Sequence, residues 1–329
     1  MAGTVQADSE LRAALTRDLD SGISVRAKRV TDTIVAAFGD QCLAVLHYGS
    51  HSHSTSAPAS SAYDFFVIVE DNAKAFRRFV AHRQPHFSAR TASTVARVLP
   101  PNIIGVLCDA DEAGQRVRGK CAVLSLNHFA AACGSRSKDH FTKGRLSQPA
   151  RLAWVRDAAA RRTVEDALVD ARSHTFVWVS PYLPEMFDTA TYCRTLLSTS
   201  YAAEIRVEQS TRAAELFAME QDVLLAMYEP LLSRLAADGA LRIEGNAYRA
   251  TRTVSSMQRS WVRWYFRRSK LRAMMRWSKS VLLYDRWLDY LREKAERRTG
   301  VAIELSPRER RWPFIFLWAR ALRLLVNRR

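Results

Sequence analysis

The stretch from His47 to Asp71, HYGSHSHSTSAPASSAYDFFVIVED, decides how the N-terminal half of the chain folds. An apolar run from Cys42 to Leu46 leads into it and stops at Tyr48-Gly49-Ser50. A Ser/Ala/Pro-biased loop over 50–62 follows, and then Asp64 opens a second apolar run, Phe65 to Val69. Two short, continuous apolar runs bounded by turn residues predict buried strands over 42–48 and 64–69. Their junction can carry chemistry. A glycine lets the backbone approach a triphosphate, a serine and nearby N–H groups grip its oxygens, and a strand-borne carboxylate holds a metal ion. An ordinary strand pair joined by a small-residue loop would look the same, so the rest of the chain has to decide.

Outward from this stretch, residues 9–38 read as a helix, with Ser9 as N-cap and Leu11, Leu15 and Leu19 at helical spacing. A helix starts at Asn72, Ile103 to Cys108 reads as a third strand closing at Asp109, and 118–124 reads as a fourth, followed by a helix from Asn127. This alternation predicts an α/β unit. From Pro149 the pattern turns helical, over 151–170 and 212–237, the latter stopped by Asp238-Gly239. LRIEGNAYRATR then alternates around Gly245-Asn246, a hairpin signal. Helix, stop and hairpin together suggest a winged-helix-like element. The expected organisation is α+β: a first domain over 1–148, a helical winged-helix-like domain over 149–256, and a basic amphipathic tail over 257–329.

The five cysteines are scattered with no Cys-x-x-Cys pair, which argues against a disulfide framework or a structural zinc site. The N-terminus lacks the apolar core of a signal peptide, and no apolar run reaches the roughly 18–20 residues of a membrane span. The protein is therefore expected in the cytoplasm. Its charge is unevenly placed. Residues 257–329 hold 20 Lys/Arg against 6 Asp/Glu, a net of +14 out of the chain's +17, which leaves +3 for the first 256 residues. Because the hairpin region is not strongly basic, no nucleic acid is expected as partner. The tail interleaves its arginines with Trp, Tyr, Phe and Leu. Such a helix either binds an anionic bilayer surface or packs its aromatics on the first domain.

Tyr48-Gly49-Ser50 followed by Asp64 resembles the Gly-Ser … Asp signature of the polymerase-β-like nucleotidyltransferases, whose usual Asp-x-Asp has Phe66 in its second place here. The acidic strand runs on from Asp64-Phe65 to Glu70-Asp71, and three further strings extend the likeness: Lys120-Cys121-Ala122-Val123, Gly144-Arg145-Leu146-Ser147-Gln148-Pro149, and Ser200-Tyr201-Ala202-Ala203-Glu204-Ile205-Arg206. In this order they resemble the motifs of the mitochondrial-type phosphatidate cytidylyltransferases, which also occur in bacteria. The likeness covers roughly residues 40–250. His51, Gln148 and Glu204 depart from the family's Gly, Lys and Asp.

The resemblance implies transfer of a cytidylyl group from CTP to phosphatidic acid, with release of pyrophosphate, by a Mg²⁺-dependent enzyme on the inner face of the cell membrane. Asp64 is implied as a metal ligand, with Asp109 or Glu204 supplying the second carboxylate. Tyr48, Gly49, Ser50, Ser200, Tyr201 and Arg206 are implied in nucleotide binding. Lys120 and Arg145 would neutralise phosphate, although Lys120 could as well face solvent and Arg145 cap a carbonyl. His51 and His53 have no acid or cysteine at ligand spacing and read as loop residues. Two rivals stay open: transfer to another lipid phosphate or small acceptor, and a non-catalytic lipid- or nucleic-acid-binding protein on a transferase scaffold.

Overall fold

The computed structural model describes residues 2–49, 62–110, 116–204 and 211–283, with a few single positions beyond. Ser50, Arg206 and nearly all of the tail past 283 lie outside the described residues. The two apolar runs pair as β1 (Cys42–Tyr48) and β2 (Tyr63–Val69), antiparallel, with Tyr48 opposite Asp64. β3 (Asn102–Ala110) and β4 (Arg116–Ser125) extend the sheet. β4 runs parallel to β2, with Lys120 opposite Asp64, and β3 is antiparallel to β4. β5 (Arg151–Val155) closes the other edge on β1, giving the order β3-β4-β2-β1-β5.

Side chains alternate across a strand, so the two faces of β2 have different jobs. Phe65, Val67 and Val69 enter one core with Val30, Ile34 and Phe38 of α2 (Val25–Phe38) and Phe76 and Phe79 of α3 (Asn72–Arg83). α4 (Ala89–Val98) contributes Ala92 and Ala96 to the same core. Ser24, Asp71 and Ser88 start α2, α3 and α4 by accepting a backbone N–H from inside the first turn. Asp64 and Phe66 point to the opposite face. There α5 (Leu126–Cys133), α6 (Phe141–Leu146) and α7 (Ala158–Ser173) pack.

A second core is helical. It gathers α1 (Ala2–Thr16), α8 (Thr175–Val179), α9 (Thr189–Ala202) and α10 (Thr211–Ala237). A small sheet sits against it: β6 (Met186–Phe187), β7 (Leu241–Glu244) and β8 (Ala247–Ala250), ordered β6-β8-β7. The β7–β8 hairpin turns at Gly245, whose φ of +62° a side chain would oppose. α11 (Ser256–Leu283) belongs to both cores: Val262, Tyr265 and Phe266 pack in the helical one, Leu283 in the sheet one.

The chain is α+β, as the sequence suggests, but three expectations change. Residues 9–38 are two helices, not one. Ser9 lies inside α1, and the chain breaks over 17–24, where Asp18 turns inward to meet Arg172. Residues 151–170 are β5 followed by α7, whose N-cap is Asp157. A half-buried edge strand has no continuous apolar run and passes for helix in the sequence. The first sheet therefore extends past residue 148, and α1 packs with the helical core, so neither layer is one continuous segment. All five cysteines are free and buried. No helix among the described residues is long and apolar enough to cross a membrane.

Candidate functional site

The end of β1 and the start of β2 bring Gly49 against Asp64. Gly49 has φ +85°, and a Cβ there would stand 3.2 Å from the Asp64 Oδ2. The backbone conformation favours glycine, and a side chain there would push the carboxylate away by a few tenths of an ångström. On the other side of β2, the Lys120 Nζ lies 3.7 Å from the Asp64 Oδ1. Both side chains are partly exposed, so the pair is screened and adds little to stability. Its value is local: one anion and one cation held side by side at a strand end, next to a glycine backbone.

Phe66, two residues on from Asp64, is fully buried, stacked on Tyr48 at 4.6 Å and edge-on to Phe141 at 6.2 Å between ring centroids. The Arg145 guanidinium lies 3.9 Å from the centroid of the Phe141 ring. Arg145 also donates from Nη1 to the Phe141 carbonyl (2.9 Å) and forms a bidentate pair with Glu204 (2.7 Å to each oxygen). The Arg276 guanidinium of α11 stands 4.7 Å from the same ring. Arg276 and Arg272 share the Asp139 Oδ2, at 2.6 and 2.8 Å, while Asp139 Oδ1 accepts the Phe141 N–H. Burial pushes the Asp139 carboxyl up, but the two guanidiniums and the Phe141 amide outweigh it and hold it below the usual carboxylate range.

The residues singled out in the sequence therefore fall into groups. Tyr48, Gly49, Asp64 and Lys120 come together. Arg145 and Glu204 come together with each other, and reach the first group through Phe141 and Phe66. Glu204, expected as a metal ligand, instead has both oxygens on Arg145. Asp109 sits exposed on β3, with β4 between it and β2. Two strand spacings, about 10 Å, and roughly four residues of offset separate it from Asp64, beyond the span of two carboxylates on one ion. Ser200 is fully buried, its hydroxyl donating to the Gly144 carbonyl (3.0 Å). Tyr201 is half-buried against the helical core. Gln148 is buried and donates to the same Gly144 carbonyl (3.0 Å). These strings build the support of α6 and offer Arg145 alone from it. Phe141 and Asp139 carried no signal in the sequence, and Arg272 and Arg276 read only as arginines of the basic tail, because their contacts span up to 137 residues.

His140, at the start of the same helix, is completely buried among Trp178 (4.7 Å), Phe266 (5.2 Å) and Tyr265 (6.0 Å between ring centroids). The Ser200 proton goes to Gly144, so His140 donates from Nε2 to the Ser200 Oγ at 3.2 Å, and its Nδ1 has no hydrogen-bond partner. Burial pushes its pKa down from 6.5 to about 4. The unfolded chain then binds a proton that the folded one refuses. Stability attributable to His140 is complete above pH 6.5 and is lost as the pH falls towards 4, by about 3 kcal/mol. Urea unfolding at pH 7.0 and 4.5 should show a steeper loss for the native chain than for His140→Gln; equal losses would refute the assignment.

Chemically, the site offers one partly exposed carboxylate paired only loosely with a lysine, a close-approach glycine beside it, and, across Phe141, a guanidinium already balanced by Glu204. Among the described residues, no group of three or more His, Cys, Asp and Glu side chains stands together. Asp64 fits Mg²⁺ arriving with a nucleotide, since Mg²⁺ keeps several waters and takes one or two carboxylates plus substrate phosphates. No family model matches the chain, and no curated protein matches its sequence.

Proposed function

We propose that this chain is a nucleotidyltransferase acting at a membrane surface, joining the cytidylyl group of CTP to phosphatidic acid. The observation that carries the reading is the Gly49–Asp64–Lys120 cluster, with Gly49 at positive φ in close approach to the carboxylate. The sheet would serve as a polymerase-β-like nucleotidyltransferase domain and the helical core with its β6-β8-β7 sheet as a winged-helix-like domain. In the reaction, a phosphate oxygen of the lipid forms a new bond to the α-phosphorus. The bond from that phosphorus to the bridging oxygen of the β-phosphate breaks, and pyrophosphate leaves with the electron pair. Asp64 would hold Mg²⁺, which when bound neutralises triphosphate charge and polarises the α-phosphoryl group. Gly49 lets the backbone approach the phosphates. Lys120 would offset part of the charge of two anionic reactants meeting in one place, and Arg145, whose charge Glu204 balances, would border the site through Phe141.

α11 supports the lipid acceptor. Its inner face packs in the helical core, but Met257, Trp261, Trp264, Leu271, Met274 and Met275 are exposed on its outer side. Arg259, Arg263, Arg267 and Lys270 are exposed among them, and Arg268 lies over the Trp264 ring at 5.1 Å. Of the described part of this segment, Tyr265 and Phe266 pack inward in the helical core, and Trp261 and Trp264 face outward with the arginines. Exposed Trp and Met flanked by arginine match an anionic bilayer of the cytoplasmic face.

One observation favours a second reading, a lipid-binding protein without chemistry on a transferase scaffold. Phe66 is locked between Tyr48 and Phe141, where the resembling enzymes carry their second acid. The same experiment decides between them. Pyrophosphate release is measured with each of the four NTPs and Mg²⁺, with and without phosphatidic-acid vesicles. Release with CTP alone, dependent on the lipid, is the expected result. Release with another acceptor would shift the substrate, and vesicle binding without release from any nucleotide would select the second reading.

A further inference from the structure

We infer that Asp139 and Arg276 are positioning residues, which hold Phe141 and through it Arg145 in place and so tie the candidate site to the seating of α11. The inference rests on the nucleotidyltransferase reading above, but on different residues. α6 is only six residues long and begins at Phe141, so its first turn depends on outside support. That support comes from α11. The Ser269 hydroxyl accepts the His140 N–H at 2.9 Å, and Arg272 and Arg276 grip Asp139 from the next turns of the helix. Asp139 then orients the Phe141 N–H, and Arg276 faces the ring that Arg145 also faces. The path is contiguous: α11, Asp139, Phe141, then Phe66 and Tyr48 beside Gly49 and Asp64.

The same helix presents the exposed Trp, Met and Arg residues on its outer face. A surface that engages the outer face therefore acts on the helix whose inner face grips Asp139 and faces the Phe141 ring, against which Arg145 also lies. Contact alone does not prove coupling, and a double-mutant cycle does. Arg276→Met removes the second guanidinium while Arg272 still neutralises Asp139, so the fold is retained; thermal melts check this. The cycle combines Arg276→Met with Arg145→Met, the latter always carried with Glu204→Gln so that no buried carboxylate is stranded, and reads kcat/KM for CTP in the presence of phosphatidic-acid vesicles. Arg276→Met should cost about tenfold in the native background and less than about twofold when Arg145 is already Met. Equal losses in both backgrounds would overturn the inference. If the native protein releases no pyrophosphate, the transferase reading fails by itself, and the cycle is scored on the Kd for Mg·CTP with the same criterion. A chain that binds no nucleotide sinks both.

Discussion

Replacing Arg172 by Met is expected to lower the unfolding free energy by about 3–5 kcal/mol, the cost of leaving a buried charge without its partner. Arg172 is fully buried on α7 and all five of its N–H groups are used. Nε donates to the Leu146 carbonyl (2.8 Å), Nη1 to the Leu15 carbonyl and to Asp18 (2.7 Å), and Nη2 to Asp18 (2.7 Å) and the Gln148 carbonyl (3.1 Å). Asp18 in turn accepts the Ala150 N–H at 2.6 Å. One side chain therefore fastens the end of α1, the end of α6 and the entry to β5. The attraction raises the Arg172 pKa against the opposing effect of burial, so the guanidinium stays charged. Adding Asp18→Leu to Arg172→Met should cost clearly less than the sum of the single changes, because no charge is left stranded. The orphaned carbonyls still keep the double variant below the native chain. Urea denaturation with matched m-values measures this. A single variant within about 1 kcal/mol of native would show that the pair is not the fastening.

Asp64→Asn is expected to lower CTP- and lipid-dependent pyrophosphate release by at least about 10²–10³-fold, the scale of losing one preorganised electrostatic group. The substitution keeps shape and removes charge. Asp64 is partly exposed at a strand end and its pair with Lys120 is long and screened, so the fold should shift by less than about 1 kcal/mol. Activity and stability thus separate. Native rates in the variant would exclude Asp64 as the metal-holding carboxylate, whereas a collapsed melting curve would assign it a structural role instead.

β1 and β2 could be read from the sequence because buried central strands leave continuous apolar runs, and the β7–β8 hairpin because Gly245-Asn246 fixes its turn. β5 could not. Only its neighbour β1 makes Arg151–Val155 a strand, and the residues themselves are half-buried and mixed. The break between α1 and α2 was hidden for the same reason: Asp18 reads as a helix-surface acid until Arg172, 154 residues away, arrives. The strings around Gly144 and Ser200 read as motifs, yet Arg145 is bound to Glu204, and Ser200 and Gln148 both donate to the Gly144 carbonyl. Gly144 admits no Cβ, since one would lie 2.5 Å from the His140 ring and 2.7 Å from the Ser200 Oγ. A motif records that residues are constrained and not what constrains them.

By itself, the sequence determined the paired strands, the glycine and carboxylate at their junction, and the basic aromatic character of the C-terminal segment. These follow from local chemistry: burial sets apolar runs, positive φ sets glycine, and charge is a property of composition. Tertiary structure alone decided that Glu204 serves Arg145, that Asp109 stands apart from Asp64, and that α11 reaches Phe141 through Asp139. Each depends on which distant side chain is close enough to pair, and an ion pair at 2.6 Å leaves no trace in the spacing of residues 137 apart.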